Sequence, residues 1–92
     1  MSFSIEITLE ALLDIEKHKK SGDKKILFKI DKLLNELREH PQSGTGKPEK
    51  LKHYTTPTWS RRITDKHRLV YRIEENKVIV ILLSFWGHYE DK

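Results

Sequence analysis

The sequence predicts an α+β domain: an N-terminal strand, a two-helix hairpin, then an antiparallel sheet of three or more C-terminal strands. The order is β-α-α-β-β-β, with the helices on one face of the sheet. Three observations predict it. Apolar residues recur with a period of 3.6 between residues 26 and 37, and with a period of two at 3–7 and 68–73. A nearly continuous apolar run follows near the C-terminus. The chain has 92 residues, which suits one domain with one sheet packed on one helical layer.

In "FSIEI", Phe3, Ile5 and Ile7 alternate with Ser4 and Glu6, the pattern of a half-buried strand. Thr8 is a candidate cap for a first helix, with Leu9, Leu12 and Leu13 as its apolar face. The basic run "KHKK" suits the end of that helix, where cations oppose the dipole. Ser21, Gly22 and Asp23 interrupt it, and Asp23 can cap a second helix. Ile26, Ile30, Leu33, Leu34 and Leu37 form the apolar stripe of that second helix. "EHPQSGTGKP" ends it, with Pro41 and two glycines as breakers. "WSRRI" reads as a short strand and Thr64-Asp65-Lys66 as a turn. "HRLVYRI" places Leu69, Tyr71 and Ile73 on one side and Arg68, Val70 and Arg72 on the other. After a turn at "EENK", "VIVILLSF" reads as a strand buried on both faces, at the centre of the sheet. The face away from the helices then carries Arg68 and either Arg61 or Arg62.

The chain contains no cysteine, which excludes disulfides, thiolate metal sites and a cysteine nucleophile. The start "MSFSIEITLE" lacks a basic region followed by a long apolar stretch. The longest apolar run, residues 78–83, is too short to span a bilayer. A soluble, cytoplasmic protein with no membrane partner is expected. Formal net charge is +4, but residues 44–72 hold eight Lys/Arg against two acids, so that segment is +6 and the remainder −2. Such asymmetry points to a polyanion, nucleic acid first; a solvated basic face gives the same count.

Three segments hold the residues able to do chemistry: the loop 46–53, the stretch 59–71, and the tail "SFWGHYEDK". Cleaving RNA through its own 2′-OH needs a base, an acid for the leaving 5′-oxygen, and fixed positive charge at the phosphate. Glu49 is the candidate base, His88 the candidate acid and Arg68 the candidate phosphate ligand, since a guanidinium grips phosphate with two donors. Lys47, Lys52, Arg61 and Arg62 are candidates for RNA and phosphate binding. Tyr89, Trp86, Trp59 and Tyr54 are candidates for stacking on bases. No metal or cofactor is expected, because the histidines and acids show no ligand spacing such as HExxH. Each residue also has a plain structural reading. Glu49 is then a surface acid among solvated lysines, Trp59 packs, Arg68 is on a wet face or paired with Glu74, and His88 is idle.

"GTGKPEKLKH", then "WSRRITDKHRLVYRI", then "GHY" after an apolar strand, resemble in order and spacing the YoeB/Txe toxins of the RelE superfamily, over roughly residues 44–89. The resemblance implies one RelE-like toxin domain over residues 1–92, with a fold like that of small microbial ribonucleases. It implies the toxin half of a type II toxin–antitoxin pair, an endoribonuclease that cuts mRNA in the ribosomal A site without a metal and halts translation. By position, Glu49 stands at the general base, His88 at the general acid and Arg68 at the phosphate-stabilising arginine. Arg62 and Lys52 are supporting cations, and Tyr89 helps hold the substrate. The implied partners are a Phd/YefM-type antitoxin, mRNA, and the ribosome with the 16S rRNA around its A site. Homodimers are common among members.

Two departures stand out. Gly87 replaces the aromatic residue that precedes the histidine in many relatives, and Glu90-Asp91-Lys92 follow Tyr89, so no terminal carboxylate is carried onto that tyrosine. Two other classes of function fit the same basic surface: a non-catalytic, ParE-like toxin that poisons DNA gyrase by contact, and a plain basic module that binds RNA or the ribosome with steep salt dependence.

Overall fold

A computed structural model describes residues 2–52 and 54–85, with the backbone alone at Leu82, Ser84 and Phe85. Its elements are β1 (Ser4–Ile7), α1 (Leu9–Ser21), α2 (Lys24–Glu39), β2 (Glu49–Lys50), β3 (Thr58–Arg62), β4 (His67–Glu74) and β5 (Lys77–Phe85). The sheet runs β1-β5-β4-β3-β2. Pairing is antiparallel from β2 to β5, and β1 adds in parallel to the far edge of β5. The α+β layout is the expected one. The apolar strand β5 lies inside the sheet, with Val78, Ile79 and Val80 buried, but β4 takes the central place.

Helix α2 follows its sequence pattern. Asp23 caps it by accepting from the Lys25 and Ile26 amides, at 3.1 and 3.2 Å. Ile30, Leu33 and Leu37 are buried beneath it, and Ile26 and Leu34 pack at the margin. These side chains meet Leu69, Tyr71, Val78, Val80 and Leu83 from the sheet to form the core.

Helix α1 overturns its expected face. Thr8 caps it, with its hydroxyl accepting from the Ala11 amide at 3.2 Å. Leu9, Leu12 and Leu13 nevertheless point to solvent, and the buried residues are Ala11, Asp14 and His18. The cause lies in β5. Beyond Val80 this strand has no β1 residue beside it. Its backbone groups there need polar partners, and α1 turns its polar stripe inward to supply them.

Arg61 was expected on the RNA-facing surface; the structure places it inside. Along β3, Trp59 and Arg61 face the helices, while Ser60 and Arg62 face the other way. The Arg61 side chain is fully buried. Its Nη1 donates to Glu36 Oε1 at 3.0 Å and to the Thr45 carbonyl at 3.4 Å. Nη2 donates to the carbonyls of Ser43 (2.7 Å) and His40, and Nε to the Tyr71 hydroxyl at 3.2 Å. Tyr71 in turn donates to the Pro41 carbonyl. One guanidinium thus satisfies the inward carbonyls of the irregular loop between α2 and β2. It has no donor geometry left for a phosphate.

The same network sets an acid dependence. Burial pushes the Glu36 carboxyl up, but bonds from the Thr45 hydroxyl and amide, and the Arg61 charge, outweigh it and hold the group below its ordinary value of 4.5. At the start of β4, burial lowers the His67 imidazole below its ordinary 6.5. The neighbouring His18 and Lys66 act the same way, and Asp23 opposes them. Both groups bind protons more readily unfolded than folded, so both contributions are complete at high pH and are lost on acidification. The urea midpoint should therefore be highest above pH 6.5, fall as pH drops below that value, and fall again below 4.5. Equilibrium denaturation from about pH 2 to about pH 8 checks this. His67→Phe should flatten the first decline and leave the second.

Candidate active site

The loop that carries Glu49 is laid against the outer edge of β3. The Arg62 amide donates to the Gly46 carbonyl and the Leu51 amide to the Thr58 carbonyl, each at 2.8 Å. These bonds bracket β2, with Glu49 opposite Ser60 and Lys50 opposite Trp59. Gly46 is required where the loop meets β3. Its φ is 86°, and a Cβ there would lie 2.9 Å from the Arg62 carbonyl oxygen. Lys47 follows with φ of 50°. Pro48 then enters an edge, where a missing N–H costs nothing.

Cross-strand partners share a face of a sheet. Glu49 is opposite Ser60, Ser60 opposite Val70, and Arg62 opposite Arg68. All five side chains therefore lie on the face away from the helices. Arg68 Nη1 donates to Ser60 Oγ at 3.3 Å and approaches Glu49 Oε1 to 3.7 Å. Arg68 is sheltered, with 19% of its side chain exposed, whereas Glu49 is 65% exposed. The result is a solvent-facing carboxylate set against a cation that is braced from below. Such an exposed pair adds little to stability, so its placement matters chiefly for what it can touch.

On the same face Arg62 is exposed and loosely paired with Asp65 at 4.0 Å; Lys47 and Lys52, in sequence on either side of Glu49, are exposed. Arg72 makes a 2.8 Å ion pair with Glu74, which takes the partner that sequence reading had offered to Arg68. Trp59 packs against the core from the helix side, which removes it as a stacking platform. Tyr54 is exposed. His88, Tyr89, Trp86 and His53 lie outside the described residues. The structure thus unites Glu49, Arg62 and Arg68 on one face and withdraws Arg61. Sequence reasoning missed Ser60, the brace under Arg68. Its period-two relation to Arg62 was the available signal. Among the described residues, no three His, Asp or Glu side chains converge as metal ligands. Among the same residues, no helix is long and apolar enough to cross a membrane.

The arrangement belongs to a known class. A YoeB/ParE toxin from Agrobacterium tumefaciens superposes with a TM-score of 0.83 and 35% identity, covering 90% of this chain and 98% of its own. Staphylococcus aureus YoeB has been solved as a dimer and in a heterotetrameric complex with YefM. These structures superpose with TM-scores of 0.76 and 0.75 at 37% identity, over 90% of this chain and 95% of theirs. The fold is that of RelE-like toxins. Escherichia coli (strain K12) Toxin YoeB is 43% identical over 67 residues, 73% of this chain and 77% of its own. The family model for YoeB-like toxins of bacterial type II toxin–antitoxin systems matches residues 7–89, and the chain belongs to that family.

Proposed function

We propose that this protein, acting as one toxin domain over residues 1–92, is a ribosome-dependent endoribonuclease that cuts mRNA in the A site and arrests translation. The observation that carries the reading is the Glu49–Arg68 pair, 3.7 Å apart on the open face with Arg62 beside it. A base and a phosphate-binding cation are the two fixed groups that 2′-OH attack requires on the attacking side. In this reading Glu49 takes the 2′-OH proton and the freed oxygen attacks the adjacent phosphorus. Arg68, with Arg62, Lys52 and Lys47 around it, offsets the charge that builds on the phosphoryl oxygens. The bond to the 5′-oxygen breaks and His88 returns a proton to it, leaving a 2′,3′-cyclic phosphate and a 5′-hydroxyl. His88 and Tyr89, which would steady the substrate, are assigned by their places in the motif. The step draws on side chains alone.

By analogy with the S. aureus complex, the partner that restrains the enzyme is a YefM-type antitoxin, and the protein acts in the cytoplasm, alone or as a homodimer. The test adds purified protein to an in-vitro translation reaction and maps mRNA 5′ ends by primer extension. Cuts within the A-site codon, with cyclic-phosphate ends upstream, are expected. Intact mRNA together with inhibited DNA gyrase would overturn the reading in favour of a ParE-like, non-catalytic toxin. Intact mRNA with salt-sensitive ribosome binding would leave a binding module.

A further inference from the structure

The stretch "KHKKSGDKK", residues 17–25, holds five lysines against one acid, and nothing in the site above uses it. It spans the end of α1, the Ser21-Gly22-Asp23 break and the first turn of α2. Lys17, Lys20, Lys24 and Lys25 are all exposed. The nearby acids are engaged elsewhere. Asp23 accepts from the Lys25 and Ile26 amides, Glu16 lies 3.8 Å from Lys19, and Asp65 lies 4.0 Å from Arg62. Among the described residues, neither these four lysines nor Lys66 take part in an ion pair. Helix stability alone does not explain the run. Lys20 suits the negative end of α1, but Lys24 and Lys25 stand at the positive end of α2, where acids are favoured and the first turn has none.

The β3–β4 turn lies against this junction. The His18 ring meets the His67 ring edge-on at 5.1 Å, and the Asp23 charge reaches His67. The Thr64 hydroxyl accepts from the Lys66 and His67 amides at 3.2 and 3.1 Å, which orders the turn and leaves the Lys66 side chain in water. Arg62 ends β3 and Arg68 is the second residue of β4, so both flank the same turn. Cations thus run from the open face, over the turn, to the α1–α2 junction. The two ends differ in kind. The open face carries arginines, whose planar fork suits one phosphate held in fixed geometry. The junction carries lysines alone, point charges on flexible stems that follow a phosphate backbone without reading bases.

We propose that Lys17, Lys20, Lys24, Lys25 and Lys66 form a second RNA surface, which grips the phosphate backbone of folded ribosomal RNA while mRNA occupies the open face. The proposal rests on the ribosome-dependent reading above and adds where the ribosome is held. An acidic peptide would feel the same charge but would bring apolar anchors, and only Ser21, Gly22 and Asp23 stand between the lysines of α1 and α2.

The test measures binding of the full chain to ribosomes with an open A site, by sedimentation over a series of salt concentrations, with single-turnover cleavage in parallel. The variant Lys20→Gln/Lys24→Gln/Lys66→Gln removes one charge from each of α1, α2 and the β3–β4 turn. A control, Lys29→Gln/Lys32→Gln/Lys77→Gln, lowers the net charge equally along α2 and at the start of β5. The first variant is expected to make the salt dependence of log K shallower by about 2–3 and to weaken binding about 100-fold near physiological salt. Its cleavage rate at saturating protein should match that of the unaltered chain, and the control should bind as the unaltered chain does. Equal losses in the two variants, or none in either, overturn the proposal. An unchanged ribosome slope with lost binding to polyglutamate also overturns it, and assigns the lysines to an acidic peptide. Ribosome binding that follows these expectations without any mRNA cleavage overturns the catalytic reading and leaves this surface standing.

Discussion

Arg68→Ala is expected to slow mRNA cleavage about 10²–10³-fold, the usual cost of removing one preorganised donor from a developing oxyanion. The fold should survive it. Arg68 lies on the face away from the core, and its partner Glu49 is largely in water, so the ion pair itself contributes at most about 1 kcal/mol. Ser60 Oγ loses a donor but keeps a hydroxyl that can rotate to a new partner. Arg68→Lys should recover only part of the rate, because an ammonium supplies the charge without the planar fork. Glu49→Gln removes the base at nearly constant shape and should cost about 10²–10⁴-fold. The two losses should not add, because base and cation act on the same transition state. Single-turnover primer extension on programmed ribosomes measures all of these. Wild-type rates in both Arg68→Ala and Glu49→Gln would remove the pair from the mechanism.

Beside Arg62, the cross-strand neighbour of Arg68, lies the buried Arg61. Arg61→Ala should destabilise the protein by about 3–5 kcal/mol, because it removes a fully buried side chain and leaves inward loop carbonyls without their donor. Glu36 would lose its cation, and the carbonyls of His40, Ser43 and Thr45 would lose their donor. Against a typical total of about 5–15 kcal/mol, that approaches global unfolding. Arg62→Ala, one residue along, should change stability by less than about 0.5 kcal/mol, since its side chain is exposed and loosely paired. The expected effect on cleavage is reversed in origin: Arg62→Ala acts on the phosphate, and Arg61→Ala acts through the fraction folded. Urea melts compared at a common slope separate the two. Equal midpoints for the two variants would refute the assignment.

The arrangement of strands and helices was legible because it rests on period. The stripe from Ile26 to Leu37 and the alternation in "HRLVYRI" both landed on the core as read. The error at Arg61 was avoidable in principle. Trp59, Arg61 and Ile63 alternate, so the two apolar members already place Arg61 on the inner face. Its charge offers it to a phosphate, but a loop without regular structure turns its carbonyls inward and, with Glu36 and Tyr71, takes every donor of the guanidinium. The error on α1 was of another kind. Leu9, Leu12 and Leu13 have the spacing of a buried face, and nothing local marks Asp14 and His18 as its replacement. The reason is a strand about 70 residues away whose edge lacks a neighbour, and a pattern within one helix does not contain it. At the site, Glu49, Arg62 and Arg68 were named from motif spacing. Their convergence depends on register, which pairs Arg62 with Arg68 and Glu49 with Ser60, and register is a property of the assembled sheet.

The Arg61 hub also bears on the order of events as the chain folds. The carbonyls it gathers come from residues 40–45, and the bond to Tyr71 comes from the next strand. None of these contacts forms locally. The bonds to Glu36 and the loop carbonyls wait for β3 to close on α2, and the bond to Tyr71 waits for β3 to pair with β4. Loop-closure entropy must be met before the hub repays it. The α2–β2 connection, and with it the edge that presents Glu49, is therefore a late product of assembly. A nascent chain released early would hold its helices and hairpin before it held Glu49 opposite Ser60.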